Sequence, residues 1–167
     1  DLRMSRGLGD VYKRQAKDGG SITILNPAPA QPLGENILKL CDFVTPNEIE
    51  AEQITGIPVK SVSDAEVAAD KLLEKGASAA VITLGEQVAL FKDSKQIIHQ
   101  PSFQVGPIVE TTGAGDAFNG GLAVALAEEM PIDKALRFAC ATASISVTRP
   151  GTAPSMPDRN EIDTLLT

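Results

Sequence analysis

Apolar and polar positions in this chain alternate between a period near two and a period near 3.6, and the order of these stretches predicts a layered α/β fold. Ser21-Ile-Thr-Ile-Leu-Asn26 alternates as a strand does and is ended by Pro27 and Pro29. Leu33–Leu40 has the composition of a short helix. Phe43-Val-Thr45 is a short apolar run stopped by Pro46; Asn47 then opens a helical stretch over Glu48–Thr55, with Gly56 placed to end it. Ala65, Ala68, Ala69 and Leu72 fall at i, i+3, i+4 and i+7, which predicts an amphipathic helix over Asp64–Lys75. Ser63 is its expected N-cap, and Glu66 completes a capping box. Ala79–Leu84 is a continuous apolar run, the mark of a strand buried on both faces of a parallel sheet.

Val88–Lys92 and Lys95–Gln100 predict a hairpin across Asp93-Ser94. A helix from Asp116 to Glu129 carries Phe118, Leu122 and Leu126 on one face. Pro131 starts another, rich in small residues (Ala135, Ala139, Ala143), and a last short helix begins at Asp158 after the Pro/Gly stretch Pro150–Pro157. Strands alternating with helices imply a three-layer arrangement around a mostly parallel sheet.

Residues 1–15 follow neither period and bring basic residues and glycines to an otherwise acidic chain. They read as an unrelated or disordered N-terminal segment, or as a frayed terminal helix, which leaves 16–167 as the folded part. With 167 residues, 43% hydrophobic and 22% charged, the chain is long and apolar enough for a globular core, which excludes the disordered and fibrous classes. Its formal net charge of −7 argues against a nucleic-acid binder, since tracking phosphates takes clustered Lys and Arg. It does not argue against ATP, whose phosphates are held by backbone N–H groups and Mg²⁺. Cys41 and Cys140 are far apart without metal-type spacing, which points to a reducing cytoplasm rather than a disulfide framework. The single histidine, His99, reads as a half-exposed strand residue. No apolar run has the length of a membrane span, and 1–15 lacks the apolar core of a signal peptide.

The richest chemistry lies in Glu110-Thr-Thr-Gly-Ala-Gly-Asp-Ala-Phe118. Small residues just before a helix let a ligand approach the backbone, and the N–H groups of the first turn form an anion pocket. A carboxylate in that turn, Asp116, is favoured by the helix dipole and can accept a proton from an attacking hydroxyl. Taken alone, the stretch is equally a glycine-lined turn with Asp116 at a helix start. It matches neither the P-loop, which needs Lys-Ser/Thr after its last glycine, nor the dinucleotide G-x-G-x-x-G.

Several motifs in order resolve the ambiguity. Thr111-Thr-Gly-Ala-Gly-Asp-Ala-Phe-Asn-Gly-Gly121 resembles the C-terminal signature of the ribokinase-like (PfkB) carbohydrate kinases, and Asn47 with Glu50 resembles that family's N-x-x-E motif. Leu25–Ala30, Val81–Gly85 and Val147–Ser155 narrow the likeness to the ribokinase branch, and the likeness runs from about Ser21 to the end. The resemblance implies a Rossmann-like ribokinase fold of which the N-terminal half and the β-lid are missing here. It implies ATP-dependent phosphorylation of D-ribose to D-ribose 5-phosphate, the alternatives being fructokinase or deoxyribokinase activity or an inactive nucleotide-binding fragment. Asp116 would be the general base at the sugar hydroxyl, and Gly113, Ala114 and Gly115 the anion hole. Asn47, Thr83, Leu84, Gly85, Glu86, Gln87, Val88 and Cys140 would line the nucleotide; Cys140 reads equally as a small buried residue on an alanine-rich helix. Glu50 would act on Mg²⁺ through water. A monovalent cation, K⁺, would sit among Glu110, Thr112, Ser146, Arg149, Gly151 and Ser155. Members of the family dimerise through the lid, so a homodimer is expected of the complete enzyme.

Two positions depart from the family pattern. Glu110 stands where the family has Asp, so its extra methylene moves the carboxylate. Val88 stands where Gly is usual, and a β-branched residue resists positive φ, which predicts a rebuilt nucleotide loop.

Overall fold

The computed structural model describes residues 11–29, 33 and 36–167. Most of the 1–15 segment, Ala30 and part of the expected 33–40 helix therefore lie outside the described residues. In chain order the elements are helix α1 (11–18), strand β1 (Ile24–Leu25), a 3₁₀ turn at Leu38–Leu40, strand β2 (Phe43–Val44), helices α2 (Glu48–Thr55) and α3 (Val62–Glu74), and strand β3 (Ala79–Leu84). Strands β4 (Val88–Asp93) and β5 (Ile97–Pro101) follow, then helices α4 (Ala114–Ala127), α5 (Ile132–Ser146) and α6 (Arg159–Leu166), with a 3₁₀ turn at Ala153–Ser155 before the last. The five strands stand in chain order in one sheet, and the β1–β2 and β2–β3 pairs are parallel. The expected α/β fold with a mostly parallel sheet is the observed one. No helix among the described residues is long and apolar enough to cross a membrane.

The chain divides into two compact units, Asp1–Leu84 with Leu90–Ile97, and Gly85–Ala89 with Ile98–Thr167. In the first, the apolar stripe of α3 is buried as its spacing requires: Ala65, Ala68, Ala69 and Leu72 are all 0% exposed. They share a core with Val44, Ala51, Ile82 and Leu90. The start of α3 differs from expectation by two residues. Ser61, not Ser63, is the N-cap and accepts from Asp64 N, while Asp64 reaches back to Lys60 N. A cap at Ser63 would have left Val62 outside the helix; the earlier start brings it in, packed against the core.

Strand β1 is shorter than the alternating run Ser21–Asn26 because only Ile24 and Leu25 pair with Phe43 and Val44. At Thr23 the carbonyl still accepts from Phe43 N at 2.9 Å, but the N–H and Oγ1 are turned to a side chain and donate to Asp42 Oδ2 at 2.9 and 2.8 Å. Burial pushes the Asp42 carboxyl up, but these two bonds and Lys17 together hold it below its ordinary value. Of the expected 33–40 helix, the described part forms only the Leu38–Leu40 turn. Gly56 ends α2 in the left-handed region, as placed. The β4–β5 turn closes where expected: Asp93 N donates to Gln96 O, and Asp93 Oδ1 accepts from Lys95 N and Gln96 N. His99 is exposed on β5 rather than half-buried.

The second unit rests on α4 against α5. Leu122 and Leu136 are wholly buried, each worth roughly 1.5–3 kcal/mol by burial. The helices meet closely at Gly121, where a Cβ would lie 2.7 Å from Thr142 Oγ1 and 3.0 Å from Ala139 Cα. Helix α6 packs on α5, and its N-terminus is closed by a capping box between Asp158 and Glu161.

Candidate active site

In the first unit the family-type residues gather at the carboxyl ends of β2 and β3, where open α/β sheets bind their ligands. Asn47 lies just beyond β2, after Thr45 and Pro46, and is bridged in parallel to Thr83 near the end of β3; Thr83 N donates to Pro46 O at 3.1 Å. The sequence Asn47-x-x-Glu50 folds into a reciprocal capping box at the start of α2. Asn47 Oδ1 accepts from Glu50 N, and Glu50 Oε2 accepts from Asn47 N, both at 2.9 Å. The capping box was not anticipated at this motif, although the spacing is that of one. Glu50 is 7% exposed, which fixes its carboxylate in direction while leaving Oε1 outside the cap.

In the second unit, the loop Gly85-Glu86-Gln87 leads into β4. The left-handed turn falls on Gly85, with φ of 52°, and Val88 is the first residue of strand β4. The positive φ that a β-branched residue resists is therefore not asked of Val88. Ser102 pins this loop, its Oγ donating to Glu86 O and its N–H to Gln87 O. Cys140, on α5, is 5% exposed with Sγ 3.9 Å from Gln100 O, and burial pushes its thiol up to about 12.

The glycine loop is set by its backbone. Gly113 is the N-cap of α4 in the left-handed region, with φ of 84°, and offers no side-chain cap. The helix thus starts at Ala114, two residues before Asp116, and takes Ala114 and Gly115 into its first turn. Ala114 N donates to Thr111 O at 3.1 Å, and the first intrahelical bond runs from Ala117 N to Gly113 O at 2.9 Å. Gly115 and Asp116 therefore carry first-turn N–H groups without an intrahelical acceptor, the arrangement that receives an anion. Asn119, unremarked in the sequence, steadies this turn by donating to Gly115 O at 2.8 Å.

Behind the glycine loop lies the segment from Ser146 to Ser155. Val147 O accepts from Val109 N at 2.8 Å and from Glu110 N at 3.2 Å, and Gly151 N donates to Glu110 Oε2 at 2.7 Å. A Cβ on Gly113 would lie 3.2 Å from Thr152 Cγ2, so the two loops touch where the left-handed turn is made. Arg149 lies within this segment and Thr112 precedes Gly113 in the chain; Ser146 and Ser155 are 3% and 1% exposed. Arg149 is held by a two-pronged pair to Glu161, whose hydrogen bonds keep that carboxyl below its ordinary value.

Asp116 is exposed and opens onto a groove of about 350 Å³ along α4, lined also by Gly120, Gly121, Val124, Thr142 and Arg159. The second unit thus brings together the carboxylate, the open N–H groups and the oxygen-rich loop behind them. Asn47, Glu50, Thr83 and Leu84 belong to the first unit.

The model of the pfkB family carbohydrate kinases matches residues 8–159. The chain belongs to that family. Among its pfkB relatives, the ribokinase of Haemophilus influenzae is 44% identical over 148 residues, covering 87% of this chain and 47% of that protein. The deoxyribokinase of Salmonella typhi is 38% identical over 151 residues, covering 90% of this chain and 49% of that protein. Among solved structures, Arabidopsis thaliana ribokinase complexed with ribose and ATP superposes with a TM-score of 0.93 at 30% identity, covering 97% of this chain and 53% of that one. The chain spans about half the length of the curated relatives it matches.

Proposed function

We propose that this chain carries the phosphoryl-transfer part of an ATP-dependent sugar kinase that converts D-ribose to D-ribose 5-phosphate. The observation that carries the proposal is Asp116 in the first turn of α4, beside the unpartnered N–H groups of that turn. In this reaction Asp116 accepts the proton of the sugar's primary hydroxyl as its oxygen attacks the γ-phosphorus of ATP. The bond to the bridging oxygen breaks and ADP leaves. The first-turn amides of α4 face the charge that develops on the transferred group. Asn47, Thr83, Leu84, Cys140 and the Gly85–Val88 loop serve the nucleotide.

Among the described residues no group of three or more His, Cys, Asp or Glu side chains is placed to hold a metal ion. Mg²⁺ would be carried mainly by nucleotide phosphates and waters, with Glu50 Oε1 oriented by its cap to accept from one such water. The oxygen donors of Glu110, Thr112, Ser146, Arg149, Gly151 and Ser155 suit a hard monovalent cation such as K⁺, whose charge would add to the field at the anion hole. Deoxyribose is the second reading, favoured by the 38% identity to a deoxyribokinase.

The test has two stages. MgATP binding by the purified chain is measured by calorimetry, and ADP formation is then followed with ribose, 2-deoxyribose or no sugar. MgATP binding is the expected result, and whatever ribose-dependent ADP formation the chain supports should disappear in Asp116→Asn. A folded chain that binds no MgATP would overturn the proposal, and faster turnover with 2-deoxyribose would reassign the substrate.

A further inference from the structure

The Glu110 side chain does something that a shorter acid at the same position would reach less well. Its Oε2 accepts the Gly151 N–H at 2.7 Å, across a separation of 41 residues. The other links between the two loops are backbone bonds, from Val109 N and Glu110 N to Val147 O. They lie at the far end of the contact, whereas Gly151 is next to Thr152, the residue on which the Gly113 turn rests. The Cβ and Cγ2 of Thr152 would stand 3.3 and 3.2 Å from a Cβ on Gly113.

From this geometry we infer that Glu110 is a positioning residue: its carboxylate latches Gly151 so that Thr152 backs the Gly113 turn and holds the first-turn amides of α4 in place for a phosphate. The latch uses only one carboxylate oxygen, so Oε1 stays available to a cation. The phosphate named here rests on the proposed kinase reading. The latch itself rests on the hydrogen bond and the loop contact alone.

The coupling runs through three steps. Freeing Gly151 lets Thr152 move away, Thr152 no longer confines Gly113, and the Ala114 N–H to Thr111 O bond that closes the turn opens more often. Local openings of this kind are read by amide hydrogen exchange. In Glu110→Ala, exchange at both Gly151 and Ala114 should rise at least about tenfold, the equilibrium equivalent of losing one hydrogen bond to a charged group. Glu110→Gln keeps an acceptor at nearly the same reach, so its exchange should stay within about threefold of the parent chain, a neutral acceptor being the weaker one. Glu110→Asp, one methylene shorter, should behave as the alanine variant does, and it serves if the latter fails to fold.

The same samples are titrated with Mg-AMP-PNP and MgADP. Loss of the latch should weaken the γ-phosphate analogue several-fold more than ADP, a split that a merely destabilised fold would not give. The latch is overturned if Glu110→Ala and Glu110→Asp leave Ala114 exchange unchanged, or if Glu110→Gln is as impaired as either. A parent chain that binds neither nucleotide would sink the kinase reading, while the Gly151 and Ala114 exchange rates would still decide the latch.

Discussion

Helices α2 and α4 both begin at family-type motifs, and they treat their N-terminal N–H groups in opposite ways. At α2 the end is closed by its own side chains: Asn47 and Glu50 each satisfy the other's backbone N–H. At α4 the N-cap is Gly113, which has no side chain to offer, and the amides of Gly115 and Asp116 are left open. A capping Ser, Asp or Asn is worth about 1 kcal/mol to a helix. Against a glycine such as Gly113 the gain is only roughly a few tenths of a kcal/mol, so α4 gives up little by leaving its donors open. The contrast separates two jobs: α2 holds a carboxylate in a fixed direction, and α4 keeps donors for a group that comes from outside.

The largest expected effect sharpens this division at α4. Asp116→Asn removes the proton acceptor but no core contact, since Asp116 is exposed. Turnover with MgATP and ribose should fall roughly 10²- to 10⁴-fold, the usual worth of a general base, while the thermal midpoint stays put. Turnover that survives the substitution would move the proton transfer to another group and leave α4 as an anion pocket alone.

Next in size is Gly113→Ala. Its left-handed φ of 84° costs a Cβ-bearing residue about 1–2 kcal/mol, and the new methyl would press on Thr152 at 3.2 Å. Mg-AMP-PNP affinity should drop about tenfold, with the thermal midpoint lower by a few degrees. Unchanged affinity would mean that the open amides of α4 are not where the phosphate is held.

The two helix starts also differ in how far the residues announced them. Periodicity placed α3 and β3 well, because Ala65, Ala68, Ala69 and Leu72, and the run Ala79–Leu84, are patterns that burial alone enforces. Boundaries were less legible where side chains replace ladder bonds. The Thr23 N–H taken by the Asp42 side chain marks the start of β1, and Asp64 turned back to Lys60 shifts the start of α3. In the candidate site, the glycine loop and Asp116 could be read from residue type, since only small residues permit that approach. The cross-loop bond from Gly151 to Glu110 could not, because it joins positions 41 residues apart with no local spacing signal. Thr152 was invisible for the same reason: its role comes from touching Gly113, not from its own chemistry.

A smaller effect tests the closed helix start. Asn47→Ala removes the acceptor for Glu50 N and loosens the box, which should cost about 0.5–2 kcal/mol of stability, read as a lower midpoint in urea with an unchanged slope. Glu50→Gln keeps an acceptor for Asn47 N and should cost less. If Asn47→Ala left stability untouched and still reduced MgATP affinity, α2 would be a direct nucleotide contact rather than a closed support for Glu50, and the contrast with α4 would fail.

The smallest effect compares the two units by acid. Folding lowers Asp42 and the exposed Asp64 below their ordinary values in the first, and Glu161 in the second. In the first, burial works against Asp42 but is outweighed by the Thr23 bonds and Lys17; in the second, Glu161 is lowered by its hydrogen bonds from Arg149. A lowered carboxylate stabilises the fold fully above its unfolded value, and that contribution is lost as pH falls through the folded value. The reference values are 3.8 for Asp42 and 4.5 for Glu161, so the loss should begin first in the second unit as the solution is acidified. Amide exchange followed from neutral pH downward should show protection in α6 weakening before protection around β1. Glu161→Gln should flatten the first of these losses and leave the second alone. Because Glu161 is well exposed and its pairing with Arg149 is screened by solvent, the change should be small and should shrink further in high salt. An α6 loss that is large or indifferent to salt would mean that the Arg149–Glu161 pair holds the loop behind Gly113 more firmly than a surface pair can.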